Sequence, residues 1–139
     1  MTDTTGKTAS IRTDRSRVRG LGAAHHGVEH WWAQRVTAIS NLILGFCFIV
    51  IIGSAAGRPW PEAAAIVSGP VTSVLLGLFV ISVTYHMRLG MQVVIEDYLH
   101  EHRLKFAATI ANTFFAVLIA GLCLFALAKL SLFRALLPA

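Results

Sequence analysis

The stretch Tyr85–His86–Met87–Arg88–Leu89–Gly90–Met91–Gln92–Val93–Val94–Ile95–Glu96–Asp97–Tyr98 sets ionisable groups against a long apolar run. No charged residue occurs from Ala63 to Met87. An imidazole at such depth is costly unless something takes up its polar atoms. Three things would: a metal, a hydrogen-bonding side chain on another helix, or a water-filled pathway. On a helical wheel Phe79, Ser82, Gly90, Val93 and Asp97 fall within about 40° of His86, while Arg88 points to nearly the opposite face. Haem iron suits this stripe, because imidazole is a common axial ligand for it. Gly90, one turn on, removes the side chain that would obstruct a flat macrocycle. A buried histidine hydrogen-bonded to a neighbouring helix accounts for the same residue and stays open. The other five histidines lie outside the apolar runs. A haem held by two histidines would therefore take the second from another subunit.

Glu96, Asp97 and Tyr98 close the same helix. Acids there oppose the helix dipole, which favours a use for them beyond a polar terminus. A tyrosine hydroxyl can hydrogen-bond a quinone carbonyl, and a nearby acid can relay protons. The plain alternative is a polar helix end with Tyr98 in an aromatic belt. Arg88 is expected to snorkel toward the interface. Arg35, at the mouth of the first apolar run, either does the same or pairs with a carboxylate such as a haem propionate. Asp97 lies eleven residues beyond His86, roughly 16 Å along a helix axis. With Asp97 at the membrane interface, His86 falls near mid-membrane.

The elements that must position these residues follow from composition. The chain has 139 residues, 55% of them hydrophobic and 14% charged, against roughly a quarter charged in soluble domains. Three charge-free gaps run from Val36 to Gly57, from Ala63 to Met87 and from Phe106 to Ala128. Each would span roughly 30 Å or more as a helix, enough to cross a bilayer. In lipid the backbone must satisfy itself, which leaves helices for such long unbroken runs. The expected fold is an all-α membrane protein with three transmembrane helices, at about 33–57, 63–97 and 104–130. Residues 1–27 read as a basic, largely flexible N-terminal tail, and residues 28–139 as the three-helix anchor domain.

Charge gives the orientation. The tail with Lys7, Arg12, Arg15, Arg17 and Arg19, together with Arg35, Arg103 and Lys105, lies on one side; Arg58, Lys129 and Arg134 lie on the other. The positive-inside rule then places the N-terminus in the cytoplasm and the C-terminus in the periplasm. No signal peptide is apparent, which agrees with that placement. The net charge of +5 sits mostly in the tail; it suits lipid headgroups and does not imply nucleic acid. Cys47 and Cys123 both fall within apolar runs and read as small packing residues.

The run His86-x-x-x-Gly90-x-x-x-x-x-x-Asp97-Tyr98 resembles the second-helix motif of the hydrophobic membrane anchor subunit of succinate dehydrogenase, the smaller of its two cytochrome b anchor chains. The segment His30–Trp31–Trp32–Ala33–Gln34–Arg35–Val36–Thr37–Ala38 is similar to the one leading into that family's first helix, with its Arg-x-Thr-Ala. The resemblance covers essentially the whole chain after the tail. It implies that His86 is this subunit's axial ligand to haem b, the other axial histidine coming from the larger cytochrome b anchor subunit, itself three-helical. It implies that Tyr98 contributes to the ubiquinone site near the iron–sulfur subunit, with Asp97 beside it. It places Arg35 near the haem propionates. Some members carry a histidine just before helix one that approaches the propionates; here Glu29 and His30 occupy that neighbourhood, and His30 stands one residue off an ungapped match.

The function so implied is the membrane-anchoring, electron-transfer part of complex II, carrying electrons from succinate to ubiquinone in the respiratory chain and the tricarboxylic acid cycle. The partners implied are the larger anchor, the iron–sulfur subunit and the flavoprotein subunit. The location implied is the bacterial cytoplasmic membrane, as a multi-pass protein. A fumarate reductase anchor, running electrons the other way, is a neighbouring possibility. A different class is a cofactor-free helical membrane scaffold or assembly protein. A proton-coupled transporter would call for intramembrane carboxylates, and the three gaps contain none.

Overall fold

A computed structural model describes residues 26–136. The tail expected over residues 1–27 lies almost entirely outside them. The chain divides into two units, 1–31 and 32–139; the packing below belongs to the second. Among the described residues there are four helices and no strand: α1, His26–Ala55; α2, Trp60–Val67; α3, Pro70–Tyr98; and α4, His102–Leu136. Within Gly27–Ala55, Pro70–Tyr98 and His102–Arg134 three helices are long and apolar enough to cross a membrane. The chain is a multi-pass membrane protein. Buried apolar side chains are few, namely Ile51, Leu76, Leu89, Ile95 and Ala116, while large ones such as Leu42, Phe46 and Phe114 are exposed. That inside-out balance suits lipid rather than water.

Each helix stops for a local reason. After Ala55 the chain takes a left-handed turn at Gly57, φ 74°, a conformation that favours glycine. The Arg58 side chain donates from Nε to the Ser54 carbonyl at 2.7 Å, covering one of the carbonyls a helix end leaves unmade. The segment expected as one helix from 63 to 97 is divided at Ser68–Gly69. The cause is Pro70, which lacks an N–H and whose ring would clash with the carbonyl of residue 66 in a continuous helix. Instead Pro70 opens α3 at its first turn, where proline is favoured. The Ile66 carbonyl accepts from Thr72 Oγ1 at 2.6 Å and from the Gly69 N–H at 3.4 Å. A Cβ on Gly69 would come within 2.8 Å of Thr72 Oγ1, so a side chain there would push that hydroxyl away.

α3 ends where Leu99 turns extended. The acids at this end are offset by a cation from the next helix. Lys105 Nζ donates to the Glu96 carbonyl at 2.9 Å, and the Glu96 carboxylate accepts from Gln92 Nε2 at 2.8 Å. A positive charge at a helix C-terminus is favourable. At the opposite end of the bundle Arg134 donates to the Ala65 carbonyl and to Ser68 Oγ at 3.2 Å, fastening α2 to α4.

α3 packs lengthwise against the antiparallel α4. Small residues let the two backbones approach; a Cβ on Gly77 would stand 3.7 Å from Leu124 Cδ2 and 3.8 Å from Leu127 Cδ2. α1 runs antiparallel to the other side of α3, where Phe48 stacks on Phe79 with ring centres 4.9 Å apart.

Candidate functional site

His86 lies about midway along α3, roughly 24 Å from Pro70 and 18 Å from Tyr98 at 1.5 Å per residue. The helical period turns it toward α1. Its Nδ1 stands 2.9 Å from Thr37 Oγ1. One turn toward the end of α3, the nearest atom to a Cβ built on Gly90 would be Gln34 Nε2, at 3.9 Å. Two turns the other way is Phe79, against Phe48. The face drawn on the wheel is thus the face α3 turns to α1. Ser82 Oγ, on that face, is buried without a hydrogen-bond partner among the described residues. So is Asn41 Oδ1, one turn beyond Thr37 on α1.

A groove of about 480 Å³ runs along this contact, lined by Val36, Thr37, Ser40, Leu78, Ser82 and Tyr85 among others. It is mostly apolar, with four hydroxyl-bearing residues contributed by two helices. The residue that holds His86 is therefore also a wall of the groove.

Arg88 points the opposite way, as the wheel places it, and it does not merely snorkel. Its Nε donates to Thr113 Oγ1 at 3.2 Å, and its carbonyl accepts from Asn112 Nδ2 at 2.9 Å. These bonds tie α3 to α4 inside the apolar zone. Asn112 and Thr113, two adjacent polar residues inside the third charge-free gap, are a usable sequence signal for such a tie. Thr37 was noted only as a member of Arg35–Val36–Thr37–Ala38; nothing local marks it as the residue facing His86.

Asp97 and Tyr98 are exposed at the end of α3, with Tyr98 77% exposed. Neither side chain makes a hydrogen bond within the described residues, so both are available to another molecule. They lie more than 15 Å along the helix from His86 at 1.5 Å per residue, and α3 does not bring the two sets together. Arg35 is exposed on α1, two residues before Thr37. His30 belongs to the unit 1–31; its Nε2 is buried without a hydrogen-bond partner among the described residues. No group of three or more His, Cys, Asp or Glu side chains that could hold a metal occurs among the described residues.

The family model for the succinate dehydrogenase/fumarate reductase transmembrane subunit matches residues 9–120. The chain belongs to this family. The matched span takes in Thr37, His86, Arg88, Asp97, Tyr98, Asn112 and Thr113. Similar proteins carry the name succinate dehydrogenase hydrophobic membrane anchor subunit. The one from Paracoccus denitrificans is 31% identical over 120 residues, covering 86% of this chain and 92% of its own length. That from Rickettsia bellii is 32% identical over 114 residues, covering 80% and 89%. That from Rickettsia felis is 37% identical over 86 residues, covering 60% and 69%. No solved structure matches the chain. Membership in this family makes the chain a membrane anchor that works within a complex of other subunits.

Proposed function

We propose that the chain is the hydrophobic anchor of a succinate:ubiquinone oxidoreductase, holding haem b jointly with a larger cytochrome b anchor and shaping one wall of a ubiquinone site. The observation that carries this reading is the setting of His86. It sits mid-helix on the face with Gly90, one ring nitrogen is engaged by Thr37, and its other ring nitrogen makes no hydrogen bond within the described residues.

The residues present fit haem. A single imidazole is the whole of this chain's donor set there, since no cluster of three metal-binding side chains occurs among the described residues. A macrocycle that brings its own four nitrogens needs only axial ligands from protein. The position over Gly90 is open out to 3.9 Å. His86 would be one axial ligand, and a histidine of the larger anchor the other. Arg35 and His30 would lie toward the propionates. Haem b, when bound, supplies a one-electron acceptor and donor within the membrane.

At the exposed end of α3, the Tyr98 hydroxyl donates to a quinone carbonyl and holds the head group in place. Asp97 takes protons from the cytoplasmic side and passes them on as ubiquinone becomes ubiquinol. Succinate oxidation itself belongs to the flavoprotein subunit, and the iron–sulfur subunit delivers the electrons. The N-terminus lies in the cytoplasm and the C-terminus in the periplasm, as the distribution of Lys and Arg supports.

The experiment is His86→Ala in the assembled complex, with a reduced-minus-oxidised spectrum. The b-type haem band disappears while the four subunits still co-purify. A full band in that variant sinks the axial assignment. Tyr98→Phe then leaves the haem band intact and lowers quinone reduction about 2- to 10-fold, the worth of one hydrogen bond. Unchanged turnover removes the hydroxyl from the site.

A specific observation also favours the cofactor-free scaffold. With its bond to Thr37, the half-buried His86 is the hydrogen-bonded histidine that such a scaffold needs. The two readings part at Nε2, which a scaffold leaves idle. The same spectrum separates them, because a scaffold purifies with its partner subunits and shows no haem band at all.

A further inference from the structure

Thr37 Oγ1 has one hydrogen and three neighbours. It lies 2.7 Å from the Ala33 carbonyl, 3.2 Å from the Gln34 carbonyl and 2.9 Å from His86 Nδ1. Two oxygens at 2.7 Å with no hydrogen between them would repel, so the hydroxyl donates to Ala33. Three other threonines of the spans behave the same way. Thr84 donates to the Val80 carbonyl at 2.6 Å, Thr109 to that of Lys105 at 2.9 Å and Thr113 to that of Thr109 at 3.0 Å. Thr113 goes further. While donating along its own helix it accepts Arg88 Nε across the helix gap at 3.2 Å, and arginine can only donate. Thr37 against His86 has the same arrangement, with imidazole in place of guanidinium.

Thr37 therefore accepts, and Nδ1 must carry the hydrogen. A neutral imidazole has one N–H, so the lone pair is left on Nε2. We infer that Thr37 is a positioning residue for the axial histidine, fixing both the ring's rotation and the tautomer that offers Nε2 to iron. This rests on the axial reading of His86. Hydrogen bonding at the far nitrogen of a ligating histidine raises its basicity, which stabilises ferric over ferrous iron and lowers the haem midpoint potential. The third residue of Arg35–Val36–Thr37–Ala38 thereby acquires a role of its own.

The test uses the assembled four-subunit complex carrying Thr37→Val, which keeps the shape and deletes the hydroxyl, and Thr37→Ser, which keeps the hydroxyl. Haem content, the haem b midpoint potential and the low-spin ferric EPR signal are read in each. Thr37→Val shifts the midpoint upward and changes the EPR g-values, while Thr37→Ser keeps wild-type values. Loss of haem in the valine variant with retention in the serine variant supports the same conclusion. A wild-type midpoint and EPR signal in Thr37→Val overturns it. So does an equal disturbance by valine and serine, which would trace the effect to packing rather than to the hydroxyl. His86→Ala runs in parallel: a wild-type haem signal there fells the axial reading itself, whereas its loss beside an unchanged Thr37→Val fells only the role of Thr37.

Discussion

α3 presents two faces to two neighbours, and the polar groups on them are treated differently. Toward α4, Arg88 donates to Thr113 and accepts from Asn112 at its carbonyl, and Thr113 in turn donates to the Thr109 carbonyl, with Gly77 admitting two leucines alongside. Toward α1, the ladder is made at one rung, Thr37 to His86. One turn along from that rung, both toward the Phe48–Phe79 end, Asn41 Oδ1 and Ser82 Oγ are buried without partners among the described residues, and a groove opens along the contact. An unmet polar atom in hydrocarbon is expensive. A partner from outside the chain that docked on this face would meet those atoms. The hydrogen bonds between helices are concentrated on the α3/α4 side, and the α1/α3 side holds the residue proposed as haem ligand; the contrast is one of degree, since a groove of about 370 Å³ also lies between α3 and α4 and Ser131 Oγ on α4 is buried without a partner among the described residues.

The sharpest way to break this contrast is to crowd the α3/α4 face. Gly77→Leu forces a branched side chain toward Leu124 and Leu127, whose methyls already lie 3.7 and 3.8 Å from where its Cβ would be. Overpacking of this kind costs about 1–3 kcal/mol. Thermal unfolding of the complex in detergent should show it as a lower midpoint, with Gly77→Ala close to wild type because a lone Cβ meets only ordinary contacts there. Equal behaviour of the two variants would mean that α3 and α4 are not tightly seated. Asn112→Leu should cost less. It removes the donor to the Arg88 carbonyl, and interhelical hydrogen bonds in membranes are worth about 0.6 kcal/mol on average and up to about 1.7. The haem band should be unaltered in Asn112→Leu, since this bond lies on the face away from His86. A loss of haem without loss of stability would collapse the division between the two faces.

How much of this was legible beforehand differs by residue. The 3.6-residue period alone put Phe79, Ser82, His86 and Gly90 on one side of a helix and Arg88 on the other. The structure turns the first set to α1, as Phe48, Thr37 and Gln34 show, and Arg88 to α4. Periodicity fixes faces because it is a property of one helix. It says nothing of which residue on a second helix will stand opposite, and so Thr37, Asn112 and Thr113 needed the packed bundle. The interruption at Ser68–Gly69 was a different kind of omission. Absence of charge served as the ruler for the second span, and charge is blind to Pro70, whose missing N–H ends the short α2 and starts α3. The acids at the end of α3 oppose the helix dipole, a conflict the sequence shows on its own; the offsetting Lys105 lies on the next helix, nine residues after Glu96.

The finest discrimination between the two faces comes from Ser82. Its hydroxyl is buried, lines the groove and has no partner among the described residues. Were the chain's own packing the final state, Ser82→Ala would remove an unmet polar atom and leave stability the same or higher. Completion from outside makes the opposite prediction: an incoming polar group takes up the oxygen, and its removal costs about 0.6 kcal/mol in the assembled complex, the average for an interhelical hydrogen bond in a membrane. The measurement is again the unfolding midpoint in detergent, with the haem spectrum recorded on the same sample. A midpoint below wild type with an undisturbed spectrum assigns the missing partner to protein. A disturbed spectrum places the hydroxyl close enough to the cofactor to be felt by it. A midpoint at or above wild type shows that the oxygen stays unmet in the complex, and then the groove between α1 and α3 is not the face on which the subunit is completed.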